Sequence, residues 1–235
     1  MKPILFFLFA AFTIQVKAQT VINDKNVQVR NVSSFSAIKV SGGIDVFLSQ
    51  SNEEAVAVSA SDEKYRDDIK TEVKNGVLNI YYDSHGFKLM GNRQLRAYVS
   101  FKNLESIDGS GATNFMISGT FTGTSVKIKL SGASEMKGDV KLTNVQLGLS
   151  GASVVKISGK IDNMKISASG ASDLKNYDLV VDNCIADLSG ASDVKITVNQ
   201  SISAKASGAS NLDYKGTPER RDVSSSGASN ISQKN

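Results

Sequence analysis

In the second half of the chain, apolar side chains fall on alternate positions in short runs that recur. The runs are Val126, Ile128 and Leu130; Val145, Leu147 and Leu149; Met164, Ile166 and Ala168; Cys184, Ala186 and Leu188; Ile202, Ala204 and Ala206. A period of two puts one face of a strand in a core and the other in solvent. The positions between are mostly Lys, Ser, Asp, Gln or Gly, as a solvated face requires. Every run ends in the same tetrapeptide, Ser-Gly-Ala-Ser or Ser-Gly-Ala-Thr. Its copies begin at Ser110, Ser131, Ser150, Ser169, Ser189, Ser207 and Ser226, at spacings of 21, 19, 19, 20, 18 and 19 residues. A second alternating run follows many of the copies: Phe115 and Ile117, Val155 and Ile157, Val194 and Ile196, Leu212 and Tyr214. A further apolar point comes at Phe121, Val140, Ile161 and Leu179.

A unit of about 19 residues holding two or three short strands leaves no room for a helix, and near-constant self-similarity marks a repeat architecture. The prediction is an all-β chain, a parallel β-solenoid of the right-handed β-helix kind. Each strand then pairs with its equivalents one coil away, at ~4.8 Å. The tetrapeptide glycine suits a bend with positive φ or a close backbone approach. The alanine beside it is expected to fill a corner where the interior narrows. A sandwich would need antiparallel turn signals, and Asn75-Gly76, outside the repeats, is the one found.

Residues 19–108 lack the tetrapeptide but stay strand-rich. Residues 36–40 and 44–48 alternate around Ser41-Gly42-Gly43, a degenerate form of the same bend, and Val56 and Val58 alternate likewise. The charged stretch 62–69 fits one or two helical turns, 71–82 reads as a hairpin about Asn75-Gly76, and 95–99 returns to strand. Residues 83–94 are polar and read as a loop carrying the single histidine, His85. Without a linker between the halves, the expectation is one continuous stack. Its parts are a leader (1–18), a strand-rich N-terminal part (19–108) and a solenoid (109–235).

The leader reading rests on Lys2, the apolar run 4–12 and Val16-Lys17-Ala18, the form of a secretory signal cleaved near Gln19. That run falls well short of the ~20 residues a spanning helix needs. Of 27 basic side chains two lie in the leader, so the remainder exceeds the 23 acidic ones by only two. Such balance argues against nucleic acid as a partner. One cysteine and one histidine exclude an internal disulfide and the multi-histidine metal sites, and no cofactor or metal is expected.

Several motifs fall together in a familiar order: Ser34-Phe35, then Ile38-Lys39-Val40 and Gly43-Ile44-Asp45, the hairpin 75–80, the serial Ser-Gly-Ala-Ser bends, and Leu212-Asp213-Tyr214 before Gly216 and Pro218. Over nearly the whole chain beyond the leader the sequence resembles the family of auto-transporter adhesins with a head GIN domain, exported proteins common in the Bacteroidetes. The resemblance implies a β-helical fold and a cell-envelope location, and it carries over no catalytic residue.

Aligning the repeats on their serines produces two outward columns. Six residues after the serine stand Lys137, Lys156, Lys175 and Lys195; two residues earlier stand Glu135, Val154, Asp173 and Asp193. The lysines could bind an acidic polysaccharide, and Asp173 with Asp193 could hold a hard cation. Mutual neutralisation of the two columns is the competing account. The serine columns lack a base and are expected to stack hydroxyl on hydroxyl. Cys184 is expected in the core and His85 in solvent, and Tyr81 or Tyr82 could stack on a sugar. The expected function is an exported envelope protein, an adhesin or a glycan- or surface-binding module without catalysis. The alternatives are a polysaccharide-processing enzyme, with Asp83, Arg93 and Arg96 converging around loop 83–96, and an assembly module pairing through its end coils. In the assembly case Arg220, Arg221 and Lys234 would guard the edge.

Overall fold

The computed structural model describes residues 24–83 and 93–235; the expected leader and the loop carrying His85 lie outside these. Sixteen strands and one short helix follow in order. They are β1 (Gln28–Arg30), β2 (Ala37–Ser41), β3 (Asp45–Gln50), β4 (Ala55–Ser59), α1 (Glu63–Asp67), β5 (Ile69–Lys74), β6 (Val77–Tyr82), β7 (Arg96–Phe101), β8 (Ser106–Gly109), β9 (Asn114–Leu130), β10 (Glu135–Leu149), β11 (Val154–Ala168), β12 (Asp173–Leu188), β13 (Asp193–Ala206), β14 (Asn211–Lys215), β15 (Arg220–Ser225) and β16 (Asn230–Gln233). All sixteen belong to one sheet, most of it wound as a parallel β-solenoid of about seven turns, while β1, β4 and β5 pair antiparallel at its N-terminal end.

Each long strand makes most of a coil. In β10 the inward positions are Met136, Val140, Leu142, Val145, Leu147 and Leu149, all buried. Inward positions skip by three rather than two from Leu142 to Val145, from Ile161 to Met164 and from Val181 to Cys184. The chain therefore turns at the same place in successive coils, and the tetrapeptide supplies the sharper corner. Parallel pairing keeps equivalents in register, as in Leu147 opposite Ile128 and Ile166, so the core is a set of apolar columns. Cys184 stands in one of them, opposite Met164 and Ile202, as the alternation predicts.

Three groups build the corner. The ladder runs straight through it: Ala152 N–H donates to Gly132 O at 2.7 Å, and Ala171 N–H to Gly151 O at 2.7 Å. The glycine has φ of 74° at Gly151, and a Cβ there would sit 2.6 Å from Gly132 O. Positive φ and coil-to-coil approach thus both require glycine. The fourth residue is buried and closes the bend. Ser134, Ser153 and Ser172 each donate from Oγ to the carbonyl of the serine three residues earlier at 2.8 Å.

Two expectations are corrected here. The corner alanines Ala133, Ala152 and Ala171 are exposed, and the fourth residue takes the interior place, because its hydroxyl finds a carbonyl there while the alanine N–H is used by the ladder. The leading serines do not stack hydroxyl on hydroxyl. Ser131 Oγ reaches Gly109 O (3.3 Å) and Ser207 Oγ reaches Leu188 O (3.3 Å), one coil below.

The N-terminal strands join the same stack out of chain order. Strand β2 lies parallel between β6 and β8, and β3 between β7 and β9. The coil β2–β3 is therefore flanked on one side by a coil made later, β6–β7. The chain leaves β3 for β4, passes α1, and re-enters through the β5–β6 hairpin; Asn75 (φ 52°) and Gly76 (φ 74°) make its turn. Ser110 N–H donates to Val40 O at 3.0 Å and Asn114 N–H to Ile44 O at 3.3 Å, so Ser41-Gly42-Gly43 does serve as a corner of the stack.

Side-chain contacts tie down the chain at both ends of the stack. At the N-terminal end Asp24 accepts from Tyr98 Oη (3.2 Å) and Arg96 Nη1 (3.3 Å), tying the incoming chain to β7. At the other end Arg221 takes the register of the buried Ile202, with its guanidinium 5.6 Å from the Tyr214 ring. Asp213 accepts from Ser232 Oγ (2.7 Å) and Lys234 Nζ (3.2 Å), holding β16 to β14. Desolvation works against Asp213 ionising, but these bonds outweigh it and keep its carboxyl below the usual range.

Two outcomes are expected. Gly151→Ala lowers stability by more than ~1 kcal/mol, whereas the exposed Ala152→Ser changes it by less than ~0.5 kcal/mol; thermal melting of the two variants checks this. A depressed folded pKa stabilises above the unfolded value, about 3.9, and the contribution is lost as pH falls through the folded one. The protection factor of the β16 amides, the exchange rate corrected for its intrinsic pH dependence, is therefore high near pH 6 and falls below about pH 4, and Asp213→Asn abolishes that fall.

Candidate functional site

The segment after each tetrapeptide turns one set of side chains to solvent, and register alone aligns them. Lys137 is opposite Lys156, and Lys175 is opposite Lys195. The neighbouring column runs Glu135, Val154, Asp173, Asp193. The structure thus brings the six residues expected as ligand contacts onto one face, and it pairs part of them with each other. Lys156 Nζ lies 3.0 Å from Glu135 Oε1, and Lys175 Nζ bridges Asp173 (3.0 Å) and Asp193 (3.3 Å). The hydrogen bond to Asp173 foremost raises the Lys175 pKa, with Asp193 adding to it.

Exposed pairs of this kind contribute ~1 kcal/mol or less each. They do remove the repulsion that a row of like charges at strand spacing would accumulate. The row's two ends differ. Among the described residues Lys137 has no carboxylate within ion-pair distance, whereas Lys195 stands in register with Asp213, whose carboxyl its charge helps to hold down.

Beyond Lys137 the column changes character. Its next members are Met116, Phe47 and Tyr98, on β9, β3 and β7. The Phe47 and Tyr98 rings stack, with centroids 5.1 Å apart and planes 18° apart. Beside them Asn114 Nδ2 donates to Asp45 Oδ1 at 2.7 Å. The sequence reading missed this stretch because its residues come from strands that become neighbours only through the out-of-order coil. It also missed an asparagine ladder six residues before the tetrapeptide. Asn163 Nδ2 donates to Asn144 Oδ1 (3.0 Å), Asn183 Nδ2 to Asn163 Oδ1 (3.1 Å), and Ser201 Oγ to Asn183 Oδ1 (2.7 Å). Its signal was available in the fixed offset of Asn144, Asn163 and Asn183 from Ser150, Ser169 and Ser189.

The remaining candidates are placed as follows. Arg96 is tied to Asp24 and Gln94, and Arg93 lies 4.9 Å from the Tyr82 ring centroid and 5.8 Å from that of Tyr65. Asp83 N–H donates to Asp68 O, and Tyr82 Oη donates to Asp68 Oδ2 at 3.4 Å. These contacts brace the N-terminal end of the stack. No group of three or more His, Cys, Asp or Glu side chains among the described residues is placed to hold a metal ion. A shallow groove of about 890 Å³ follows the tetrapeptide corner across the coils, edged by Asp108, Lys129, Asp187 and Lys205. No helix among the described residues is long and apolar enough to cross a membrane.

Comparison with known proteins is consistent with this architecture. A family described as "Putative auto-transporter adhesin, head GIN domain" matches residues 34–218. A crystal structure of a putative adhesin from Bacteroides fragilis superposes with a TM-score of 0.81 at 19% identity, covering 89% of this chain and 98% of that one. A putative adhesin from Parabacteroides distasonis gives 0.64 at 22% identity, covering 89% and 98%. A putative lipid binding protein from the same species gives 0.62 at 22% identity, covering 88% and 97%. At these identities the likeness is one of fold. No curated protein sequence matches the chain.

Burial pushes the Cys184 thiol up to about 12. Little thiolate therefore forms at neutral pH. The native protein is expected to leave a thiol reagent such as DTNB unreacted for hours and to release one equivalent on unfolding; rapid native labelling would show that this coil opens.

Proposed function

The chain belongs to the putative auto-transporter adhesin, head GIN domain family, and from that premise we propose that it is an exported envelope protein that binds a glycan or cell surface without catalysis. The contact surface in this reading is the outward face after the tetrapeptide, with Lys137, Lys156, Lys175 and Lys195 as its cations and Asp173 and Asp193 setting their spacing. The single observation behind it is that lysine stands opposite lysine on adjacent coils twice over, Lys137 with Lys156 and Lys175 with Lys195, on the outward side of the strands. A core could be built without that recurrence, since the inward columns alone carry the burial. The asparagine ladder and the tetrapeptide corner both have internal partners, while Lys137 at one end of the lysine row has no ion-pair partner among the described residues. Export rests on the leader, and the partner is extracellular.

The chain from residue 19, screened against a glycan array beside a Lys137/Lys156/Lys175/Lys195→Ala variant, is expected to bind a subset of acidic glycans and to lose them in the variant. Binding that persists in the variant removes the row from the function.

A further inference from the structure

The lysine row has a polar end and an apolar end, and the apolar end carries the next step. In coil after coil the column position six residues beyond the corner serine is lysine. On β7, β3 and β9 the same column holds Tyr98, Phe47 and Met116, and the first lysine after them, Lys137, has no ion-pair partner among the described residues. None of the three apolar side chains points into the core. Their neighbours Ala97, Val99, Val46, Leu48 and Phe115 fill the interior and are buried. Fold stability accounts for the buried set, and the Tyr98 hydroxyl is held by Asp24, but neither explains why Phe47 and Met116 stand outward beside it. Because the two rings stack on each other, what faces outward is a low ridge of ring edges continued by the Met116 thioether. Polar groups flank it: the Asp45–Asn114 hydrogen bond on one side, and Ser49 and Ser118, in register with each other, on the other.

Resting on the glycan-binding reading above, we propose that the ridge of Tyr98, Phe47 and Met116 together with Lys137 is the anchoring subsite for an anionic polysaccharide built of sugar acids, which then runs along the lysine row. Three features select that ligand class. The partner meets the same group at the same ~4.8 Å interval over several coils, a repetition that a linear polymer can match and an irregular folded surface cannot. Lys137, without an ion-pair partner among the described residues, asks for negative charge. An apolar ridge rimmed by amide, carboxylate and hydroxyl groups suits the C–H face and hydroxyl edge of a pyranose ring. The ridge supplies a contact that ions in solution do not compete for, and the row adds weak, salt-sensitive contacts whose sum depends on being linked in one chain. The groove along the tetrapeptide corner is a poorer match for such a ligand, because its charges alternate in sign from Asp108 and Lys129 to Asp187 and Lys205.

The test is calorimetric titration with polygalacturonate oligomers, with neutral maltooligosaccharides of equal length as the contrast. The proteins are the chain from residue 19 and its Phe47→Ser, Met116→Ser, Lys137→Ala and Lys205→Ala variants, each checked by circular dichroism and melting. Should Phe47→Ser fail to fold, Met116→Ser and Lys137→Ala carry the test alone. The expected result is binding of the acidic oligomer, weakened about tenfold or more by Met116→Ser or Lys137→Ala, the loss that marks a central contact. Lys205→Ala leaves it unchanged, and the neutral oligomer does not bind. Binding that survives Phe47→Ser, Met116→Ser and Lys137→Ala but is lost with Lys175 and Lys195 overturns the anchoring subsite and leaves the lysine row standing. Equal binding of the neutral oligomer overturns the anionic class. Binding of neither oligomer overturns the subsite; the glycan-binding reading then falls only if the array screen is also blank.

Discussion

The approach of one glycine backbone to the next, coil on coil, is the constraint on which this molecule depends. At the corner each chain must reverse outward while its N–H still reaches the carbonyl of the coil below, and a Cβ would occupy the place of that carbonyl. The requirement passes from Gly132 to Gly151 to Gly170 and onward, because each glycine meets the oxygen of the one before. Once the corner is fixed, everything between two corners is held in register. Apolar columns face inward, and whatever the sequence places outward is displayed at a constant interval. The buried fourth residue reinforces the arrangement by satisfying the carbonyl of the leading serine, which the reversal would otherwise leave inside without a partner.

That dependence explains why so much of the fold could be read from the chain. Seven near-identical corners and alternating runs report purely local facts, a bend every 19 residues or so and a buried face, and parallel stacking is the arrangement that uses them all. Ser41-Gly42-Gly43 was recognisable as a corner and 71–82 as a hairpin for the same reason. The order of the N-terminal coils was not recognisable. Adjacent coils in sequence are ordinarily adjacent in space, and here β6 and β7 take the slots beside β2 and β3 from the outer side. Nothing local in residues 37–101 distinguishes the two stacking orders, which differ only in which long-range pairs form. The exposed corner alanine was misplaced because residue size suggested an interior role, whereas the deciding fact is which N–H the ladder uses.

The candidate site divides along the same line. The lysine and carboxylate columns were legible because their spacing is the repeat itself. Their pairing was not, since a lysine can lean to its own coil or across it. Lys156 pairs across to Glu135, whereas Lys175 takes its own Asp173 together with Asp193. The ridge of Tyr98, Phe47 and Met116 is a product of topology, because it exists only if β3 lies between β7 and β9.

A solenoid whose interior needs only apolar columns places weak restrictions on its outward faces, so recurrence there has to be explained by something other than the core. For the asparagine ladder the explanation is internal, each amide donating to the next. For the lysines it is internal only in part. Carboxylates cancel repulsion along the row, with Asp213 standing opposite Lys195 at its far end, and leave the Lys137 end positive. Were neutralisation the whole purpose, a column of Ser or Thr, as on other parts of the stack, would avoid the charge altogether and spare the rotamer freedom of four long side chains. Lysine is nonetheless kept in each of these coils, and the residual positive charge at Lys137 lies next to an apolar ridge, an arrangement that supports the proposed repeating, negatively charged partner.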